Sequence, residues 1–521
     1  MTDQSCNSEP VCQSLSDSIE ERTVGVKYLA NLDESKSRDA AKRLFDLLST
    51  DIRRVSALYH WQIDFKGNVS ALKRFMSSYL FPAHYLLVKN KLYELALRFE
   101  HKLYNGFIKQ CEDERFYKWA FHHLYKPYLE TASRKNRSGT DDLRRLRTGT
   151  VFFFQNCSPL AHVQLFLEQI ESIPAEERDK TYVFALFPCV DKSAIDKLRE
   201  IGILYFEYPS INKITEKFLR LKELSLKLKI SDIVFVSMPL HSPYCSILFS
   251  EISLTWWSHK FALSTIPFFD YMVCFRALTK SLRKLDGAEW RAGPIGIAGM
   301  ERVNLSSASL KKERIEIGVL SREEKTLSSN LPEVIGELIR TYKNIRVTYT
   351  ARGDGSAIRS RVSSRSDDDA GERIYCVGWV NPAQYLNSID ILLDTPNLGG
   401  LSCFWAMSLG LPVISTLPNG SLGSLSDADE IGRFFEVISH ESDINRYFNA
   451  QSSKPFVLAK FDPMLVKLII KHLLESAEKR ANAGENFKTF FTNYLANVRK
   501  SAEIQFEFLG YSNTKGIPRN I

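Results

Sequence analysis

Residues 373–420 read RIYCVGWVNPAQYLNSIDILLDTPNLGGLSCFWAMSLGLPVISTLPNG, and this stretch decides the fold. A short β-rich run, Ile374 to Val377, is followed by Gly378, Trp379 and Val380. After a helical turn of polar and apolar residues comes a second strand, Ile389 to Leu393, ending at Asp394 and Thr395. Gly399 and Gly400 then break the chain ahead of a compact helix-like run, Leu401 to Leu409. Gly410, Leu411 and Pro412 lead into a third strand, Val413 to Thr416. Strand, glycine pair, helix, Gly-x-Pro and strand form a βαβ unit whose glycines sit where a diphosphate would approach the backbone. Free N–H groups at a helix start, with no side chain in the way, attract anions through their partial positive charge. An ordinary buried βαβ unit has the same outline, so the flanking segments have to decide.

Upstream of this unit the same alternation continues. Ile315 to Leu320 reads as a strand, Leu331 to Tyr342 as a helix and Ile345 to Thr350 as a strand. Gly353 to Gly371, rich in Ser, Arg and Asp, reads as a flexible loop. A separate series precedes it, with strands expected at Thr150 to Phe154, Tyr182 to Phe187, Ile203 to Phe206, Asp232 to Ser237, Leu254 to Trp257 and Phe268 to Phe275. His162 to Ile173 and Lys213 to Lys227 are the helices between them. Continuous apolar strands separated by helices indicate parallel sheets covered on both faces. Further upstream, Lys36 to about Arg134 carries apolar residues at three- and four-residue spacing, as in Leu92, Leu95 and Phe99, and almost no glycine.

The organisation expected is therefore an α/β chain with two Rossmann-like domains facing a cleft, preceded by an all-α domain. Its limits are a mobile leader over 1–34, the all-α domain over 35–148 and a first Rossmann-like domain over 149–308. A second follows over 309–455, and terminal helices over 456–521 return across the joint near Leu305 to Arg314. The basic stretch Ser133 to Arg147 serves as a linker.

Composition excludes several classes. With 521 residues, 44% apolar and 12% aromatic, the chain has the means to bury several cores, so global disorder is out. A net charge of +8, from 69 basic against 61 acidic residues, suits phosphorylated ligands but is too diffuse for nucleic-acid binding. Nine cysteines without a repeating interval point to reduced thiols in a cytoplasmic protein. The polar, acidic start argues against a secretory signal. The uncharged tract Thr395 to Ser426 is broken by Gly and Pro too often for a membrane helix.

Certain side chains stand at strand ends, where chemistry in such sheets is placed. Arg322 and Lys325 follow the strand Ile315 to Leu320, and an ammonium there neutralises a leaving diphosphate; a solvated turn of alternating charges is the plainer reading. Ser402 is suited to join the amides near Gly399, Gly400 and Leu401 on a phosphate, or simply to cap a helix. Gly378 and Trp379 are positioned to line a base pocket, against core packing for the indole. Three histidines, His162, His241 and His259, end near strand termini of the first series and are candidates to accept a proton or bond a phosphate. Asp367 to Asp369 lie in the expected loop, a poor setting for a rigid magnesium ligand, so no metal is expected.

These residues carry a resemblance. SREEK (321–325) looks like the lysine segment of the GT-B glycosyltransferases that include O-linked N-acetylglucosamine transferases and the bacterial cytoplasmic N-glycosyltransferases that modify adhesins. DILLDTPNLGGLSCFWAMSLGLPVIST (390–416) is similar to their strand, loop, helix and Gly-x-Pro signature. LTWWSHKFALSTIPFFDYMV (254–273) resembles their segment that ends in an Asp-Tyr pair, here Asp270 and Tyr271. The resemblance implies a UDP-sugar as co-substrate with no further cofactor. Lys325 and Ser402 would sit on the diphosphate, and His162 near donor phosphate and acceptor. The implied acceptor is a protein side chain, a glycan or lipid-linked saccharide being the alternative. The family's acid for the ribose hydroxyls is replaced by Trp405, which leaves room for a non-catalytic binding homologue. Ser258, His259 and Lys260 stand where the family has a Gly-His/Tyr-Pro turn, and Cys157 or a neighbour where it has a second histidine.

Overall fold

The computed structural model describes residues 76–108, 114–131, 149–155, 161–189, 192–237, 239–249, 251–258, 269–275, 281–285, 288–301, 314–321, 326–327, 330–350, 355–363, 373–378, 380–394, 398, 400–417, 432–450 and 452–511, with a few positions between 38 and 74. The expected leader 1–34, the linker 133–147 and nearly all of the joint 305–314 lie outside the described residues.

Two parallel sheets organise the chain. The first contains β1 (Thr150–Phe154), β2 (Thr181–Ala185), β3 (Leu204–Glu207), β4 (Asp232–Val236), β5 (Ser253–Ser258), β6 (Tyr271–Phe275), β7 (Ser281–Leu285) and β8 (Ala288–Gly293), in the order β3-β2-β1-β4-β5-β6-β8-β7. Its first six strands are the doubly wound 3-2-1-4-5-6 arrangement of a Rossmann-like domain. The second contains β9 (Ile315–Val319), β10 (Ile345–Tyr349), β11 (Ile374–Cys376), β12 (Ile391–Leu393) and β13 (Val413–Ile414), in the order β11-β10-β9-β12-β13. The chain thus holds two Rossmann-like domains, the layout expected from its alternating apolar runs.

Both faces of the first sheet are buried, which is why β1 reads TVFFF with no polar break. Val151 and Phe153 point to one side and Phe152 and Phe154 to the other, and each side belongs to a different core. Phe153 packs against Phe184, Phe218 and Phe235 at ring separations of 5.8, 5.5 and 4.8 Å. This side continues into a helical unit built from Phe81–Lys89, Tyr93–Leu103 and Glu114–Thr131. Glu94 of that unit accepts from the backbone N–H and the hydroxyl of Thr215, both at 2.8 Å, and so caps helix Ile214–Lys227 of the first lobe. The helical unit is not a tethered appendage. It shares a core with the first sheet, packing on helices Ile214–Lys227 and Ser242–Leu248.

The other side of the first sheet is covered by helices Ala161–Glu171 and Val498–Phe508, and its core runs on into the second lobe. Helix Val498–Phe508 is the last long element of the chain, yet it rests on the first sheet. Gln505, wholly buried, accepts from Trp257 Nε1 at 3.0 Å and donates from Nε2 towards the carbonyls of Cys274 and Pro294 at 3.4 and 3.5 Å. The connecting strip is held from several directions: Gln169 Nε2 donates to Gly296 O at 3.0 Å and Ile297 N to Leu495 O at 2.9 Å. Glu168, beside Ala298 in this strip, has its carboxyl pushed up from 4.5 to about 6, chiefly by burial.

Inside the second sheet Gly318 lets helix Pro382–Ser388 and its following turn press on β9. A Cβ there would stand 2.6 Å from Ile389 Cδ1 and 3.0 Å from the Tyr385 hydroxyl. That hydroxyl accepts from Val319 N at 3.0 Å and donates to Thr348 O at 2.8 Å, tying β9 to β10.

Three features depart from the expectations. Residues 353–371 are not wholly loop, because Ser356–Ser363 is a helix that buries Ile358 and Val362 and pairs Arg361 with Glu333. The β7–β8 hairpin is antiparallel and was not expected. Nor were the short parallel strands β14 (Glu436–Ile438) and β15 (Phe456–Leu458), which join the second sheet's edge through a Thr416–Leu458 bridge.

The strut role of the last helix is testable. Gln505→Ala would take the acceptor from the buried Trp257 N–H and remove one donor from the carbonyls of Cys274 and Pro294, and should cost about 2–4 kcal/mol in urea unfolding. A loss below about 0.5 kcal/mol would show that this contact does not hold the helix to the first sheet.

Candidate functional site

In each sheet the strand order reverses once, and the loops leaving the two strands at that point diverge, opening a crevice outside their carboxyl ends. In the second sheet the reversal lies between β9 and β12. The loops that leave these two strands begin at Leu320–Ser321 and at Asp394, and they are the two segments singled out in the sequence: SREEK and TPNLGG.

Both loops are fixed at their roots. Ser321 N donates to Thr350 Oγ1 at 3.2 Å, and Thr350 Oγ1 donates to Ser321 O at 2.8 Å, so the chain leaves β9 in one direction. Asp394, buried at the end of β12, accepts from Ser415 Oγ at 3.2 Å. Leu398 N donates to Thr416 O at 2.7 Å, drawing the far end of the second loop back to the sheet.

That loop feeds helix Leu401–Ser408, with Gly400 as its N-cap. Gly400 is exposed, has no side chain to cap the helix, and adopts an extended backbone with φ −76° and ψ 148°. Intrahelical bonding starts with Cys403 N and Phe404 N, both donating to Gly400 O at 3.0 and 3.3 Å. The amides of Leu401 and Ser402 precede it, as at any helix start, and are left to bond whatever lies in front. Leu401 and Ser402 are half-buried. At its other end the helix is anchored, since Ser408 Oγ donates to Trp405 O at 2.8 Å and accepts from Met300 N at 3.0 Å. Trp405 packs against the lobe's core.

Gly378, just past β11, has φ +66°, and a Cβ built on it meets nothing within 4 Å. Left-handed backbone beside open space suits a loop that presents amide and carbonyl groups to a ligand. Gly378, Gly400, Leu401 and Ser402 thus all follow carboxyl ends of the second sheet. Trp379, Gly399, Arg322 and Lys325 lie outside the described residues.

The histidines of the first lobe divide. His259 lies outside the described residues, and His162 stands in the first turn of helix Ala161–Glu171, the helix that follows β1. His241 departs from the expectation that it edges an open cleft. It is fully buried, and its Nδ1 lies 3.0 Å from Glu100 Oε2 of the helical unit. Its ring sits near those of His101 and Phe218, at 6.5 and 6.2 Å. Sequence alone gave no sign of this, because its partner is 141 positions away.

Glu100 is itself fully buried. It also lies 2.9 Å from His84 Nε2 and accepts from the Tyr128 hydroxyl. Burial opposes ionisation of this carboxyl, but bonds to His241 and His84 outweigh it and hold it at about 2, down from 4.5. Among the described residues no group of three or more His, Cys, Asp or Glu side chains is placed to hold a metal ion. Nor is any described helix long and apolar enough to cross a membrane.

Two measurements follow. Gly378→Val should lower stability by only about 1–2 kcal/mol, the cost of left-handed backbone, because nothing surrounds the new side chain; a loss above about 4 kcal/mol would show the position to be packed. A carboxyl depressed in the folded state stabilises fully above its unfolded pKa of 4.5 and loses that contribution as pH falls towards 2. The stability gap between the native chain and Glu100→Gln should therefore shrink on acidification through that window. A gap independent of pH would contradict the ionised, bonded Glu100.

No protein-family model matches the chain, and no curated protein matches it. In fold it is similar to GT-B glycosyltransferases of known structure. An O-GlcNAc transferase mutant from Thermobaculum terrenum is 13% identical, with 98% of this chain and 99% of that one covered and a TM-score of 0.47. HepE of Anabaena, solved with UDP and glucose, is 12% identical over 70% of this chain and 99% of its own, with a TM-score of 0.49. A glycosyltransferase from Rickettsia africae is 13% identical over 70% of this chain and 100% of its own, with a TM-score of 0.47.

Proposed function

We propose that this chain is a GT-B glycosyltransferase that moves a sugar from a UDP-activated donor to an acceptor, a protein side chain, in the cytoplasm. The observation that carries the proposal is the position of the β9–β12 reversal. It sends out from one crevice both a loop with two cations, Arg322 and Lys325, and a loop that ends in the unblocked start of helix Leu401–Ser408. A diphosphate needs that combination: amides to bond its oxygens and a cation to meet the charge of the departing UDP.

In this reading the amides of Leu401 and Ser402, with the Ser402 hydroxyl, take the diphosphate oxygens. Gly399 and Gly400 keep side chains out of the way. Lys325 and Arg322 stabilise the leaving group, so no metal is needed. The turn at Gly378 and Trp379 receives the base. Attack by the acceptor from the face opposite the departing UDP inverts the sugar, with His259 or His162 taking the acceptor proton. His241, enclosed against Glu100, is not assigned that proton.

The free thiols of Cys189, Cys245, Cys274, Cys376 and Cys403 suit a reducing compartment. Trp405, packed on the core where related enzymes are expected to hold an acid for the ribose, supports a second reading in which the chain binds UDP without turning a donor over. Hydrolysis of UDP-glucose or UDP-N-acetylglucosamine by the purified protein decides against that second reading.

Titrating UDP into the purified chain tests the proposal, and saturable binding below about 1 mM is expected. No heat of binding at millimolar UDP would sink it. Lys325→Ala should weaken UDP binding and lower turnover by about 100-fold; an unchanged rate would take the leaving-group role from Lys325.

A further inference from the structure

The first sheet reverses between β1 and β4, so its own crevice opens between Gln155, which follows β1, and the loop Ser237–His241, which follows β4. That loop is unusual at both ends. Ser237 has φ +68° and His241 φ +69°, left-handed values that a residue with a Cβ adopts at a cost. Such backbone persists only where its surroundings over-determine it.

Here they do so from three directions. On the sheet side, Ser237 N donates to Trp257 O at 2.8 Å and Trp256 Nε1 to Ser237 O at 3.1 Å. From β1, Gln155 Nε2 donates to Leu240 O at 3.2 Å. From the helical unit, Tyr125 donates its hydroxyl to Pro239 O at 3.2 Å, and Glu100 takes His241 Nδ1 at 3.0 Å. The Glu100 carboxylate is held in turn by His84 and Tyr128, and the whole group is shut off from water.

A carboxylate and two imidazoles are a poor way to glue helices to a sheet. Apolar side chains of equal volume commonly give more stability, whereas buried polar networks fix geometry. What this network fixes is one loop, at the place where the first sheet's strand order reverses between β1 and β4. The neighbouring ring contacts of Tyr93 with Tyr244 and His101 with Phe187 already supply adhesion.

We infer that Glu100 is a positioning residue for the acceptor side: through His241 it sets the Ser237–His241 loop, and the helical unit thereby forms a fixed wall of the first lobe's crevice. This rests on the glycosyltransferase reading, in which the first lobe receives the acceptor.

The test uses full-length Glu100→Ala and Glu100→Gln. Alanine removes the acceptor that His84, Tyr128 and His241 share. Glutamine keeps the volume, accepts from Tyr128 and His84, and donates to Nδ1 of His241 in its other tautomer. Hydrogen exchange read by mass spectrometry should rise about tenfold over residues 237–248 in Glu100→Ala, and stay within about threefold of the native rate in helices Phe81–Lys89 and Glu114–Thr131. Glu100→Gln should restore the loop. UDP affinity should be the same in all three proteins. Transfer of labelled sugar from UDP-glucose or UDP-N-acetylglucosamine into a lysate protein fraction should show a raised acceptor KM in Glu100→Ala with the donor KM unchanged. Exchange that rises equally across the helical unit, or not at all at 237–248, overturns the inference, as does an unchanged acceptor KM. Native protein that binds no UDP fails the glycosyltransferase reading instead, while the exchange result still decides whether Glu100 holds the loop. Should Glu100→Ala not fold, Tyr125→Phe removes the hydroxyl that bonds Pro239 O and Ser242, loosening the same loop from the helical side, and carries the same readings.

Discussion

Reversal of strand order within a parallel sheet is the constraint on which this molecule depends. Crossovers in a doubly wound sheet run to opposite faces on either side of the reversal, so the two loops at that point part and leave backbone uncovered. In the second lobe this happens between β9 and β12. The reciprocal Ser321–Thr350 bonds and the Leu398–Thr416 bond root the departing loops at the sheet. Gly318 contributes from beneath: without it Ile389 and Tyr385 would be forced off β9 and the strand ends would lose their alignment.

The second consequence concerns how the parts are joined. Each face of the first sheet belongs to a different core, one continuous with the helical unit and the other with the second lobe. Tyr93 against Tyr244 and His101 against Phe187 tie the helical unit to the first lobe, so its departure would expose that part of their common core. The terminal helix Val498–Phe508 works the opposite way, starting in the second lobe's tail and finishing against Trp257. The strip between the lobes is held as well as packed: Gly296 lies close against Ser501 and Val498, Ile295 and Ile297 are buried, and Gln169 and Ser408 bond its backbone.

Much of this was legible in the residues because both sheets are buried on two sides. Runs such as Thr150 to Phe154 and Ile345 to Thr350 have no other physical reading once glycine- and proline-bounded helices separate them. The parts that were not legible share a cause, which is dependence on distant partners. Ser356–Ser363 looks like loop by composition, and it is a helix because Ile358 and Val362 enter the second lobe's core while Arg361 bonds Glu333 and Leu327 O. β14 and β15 are three residues each and exist through the edge at Thr416. His241 has a histidine's local character at a strand end, and only Glu100 turns it inward. The glycines were readable for a different reason: Gly378 and Gly400 act through backbone, and a missing side chain is visible in sequence.

The central claim is that UDP lies at the β9–β12 crevice with its diphosphate on the start of helix Leu401–Ser408. A crystal structure of the chain with UDP measures this directly. Phosphate oxygens are expected within about 3.2 Å of the Leu401 and Ser402 amides, with the uracil against the Gly378 turn. UDP found on the first sheet's crevice, or on neither lobe, would contradict it.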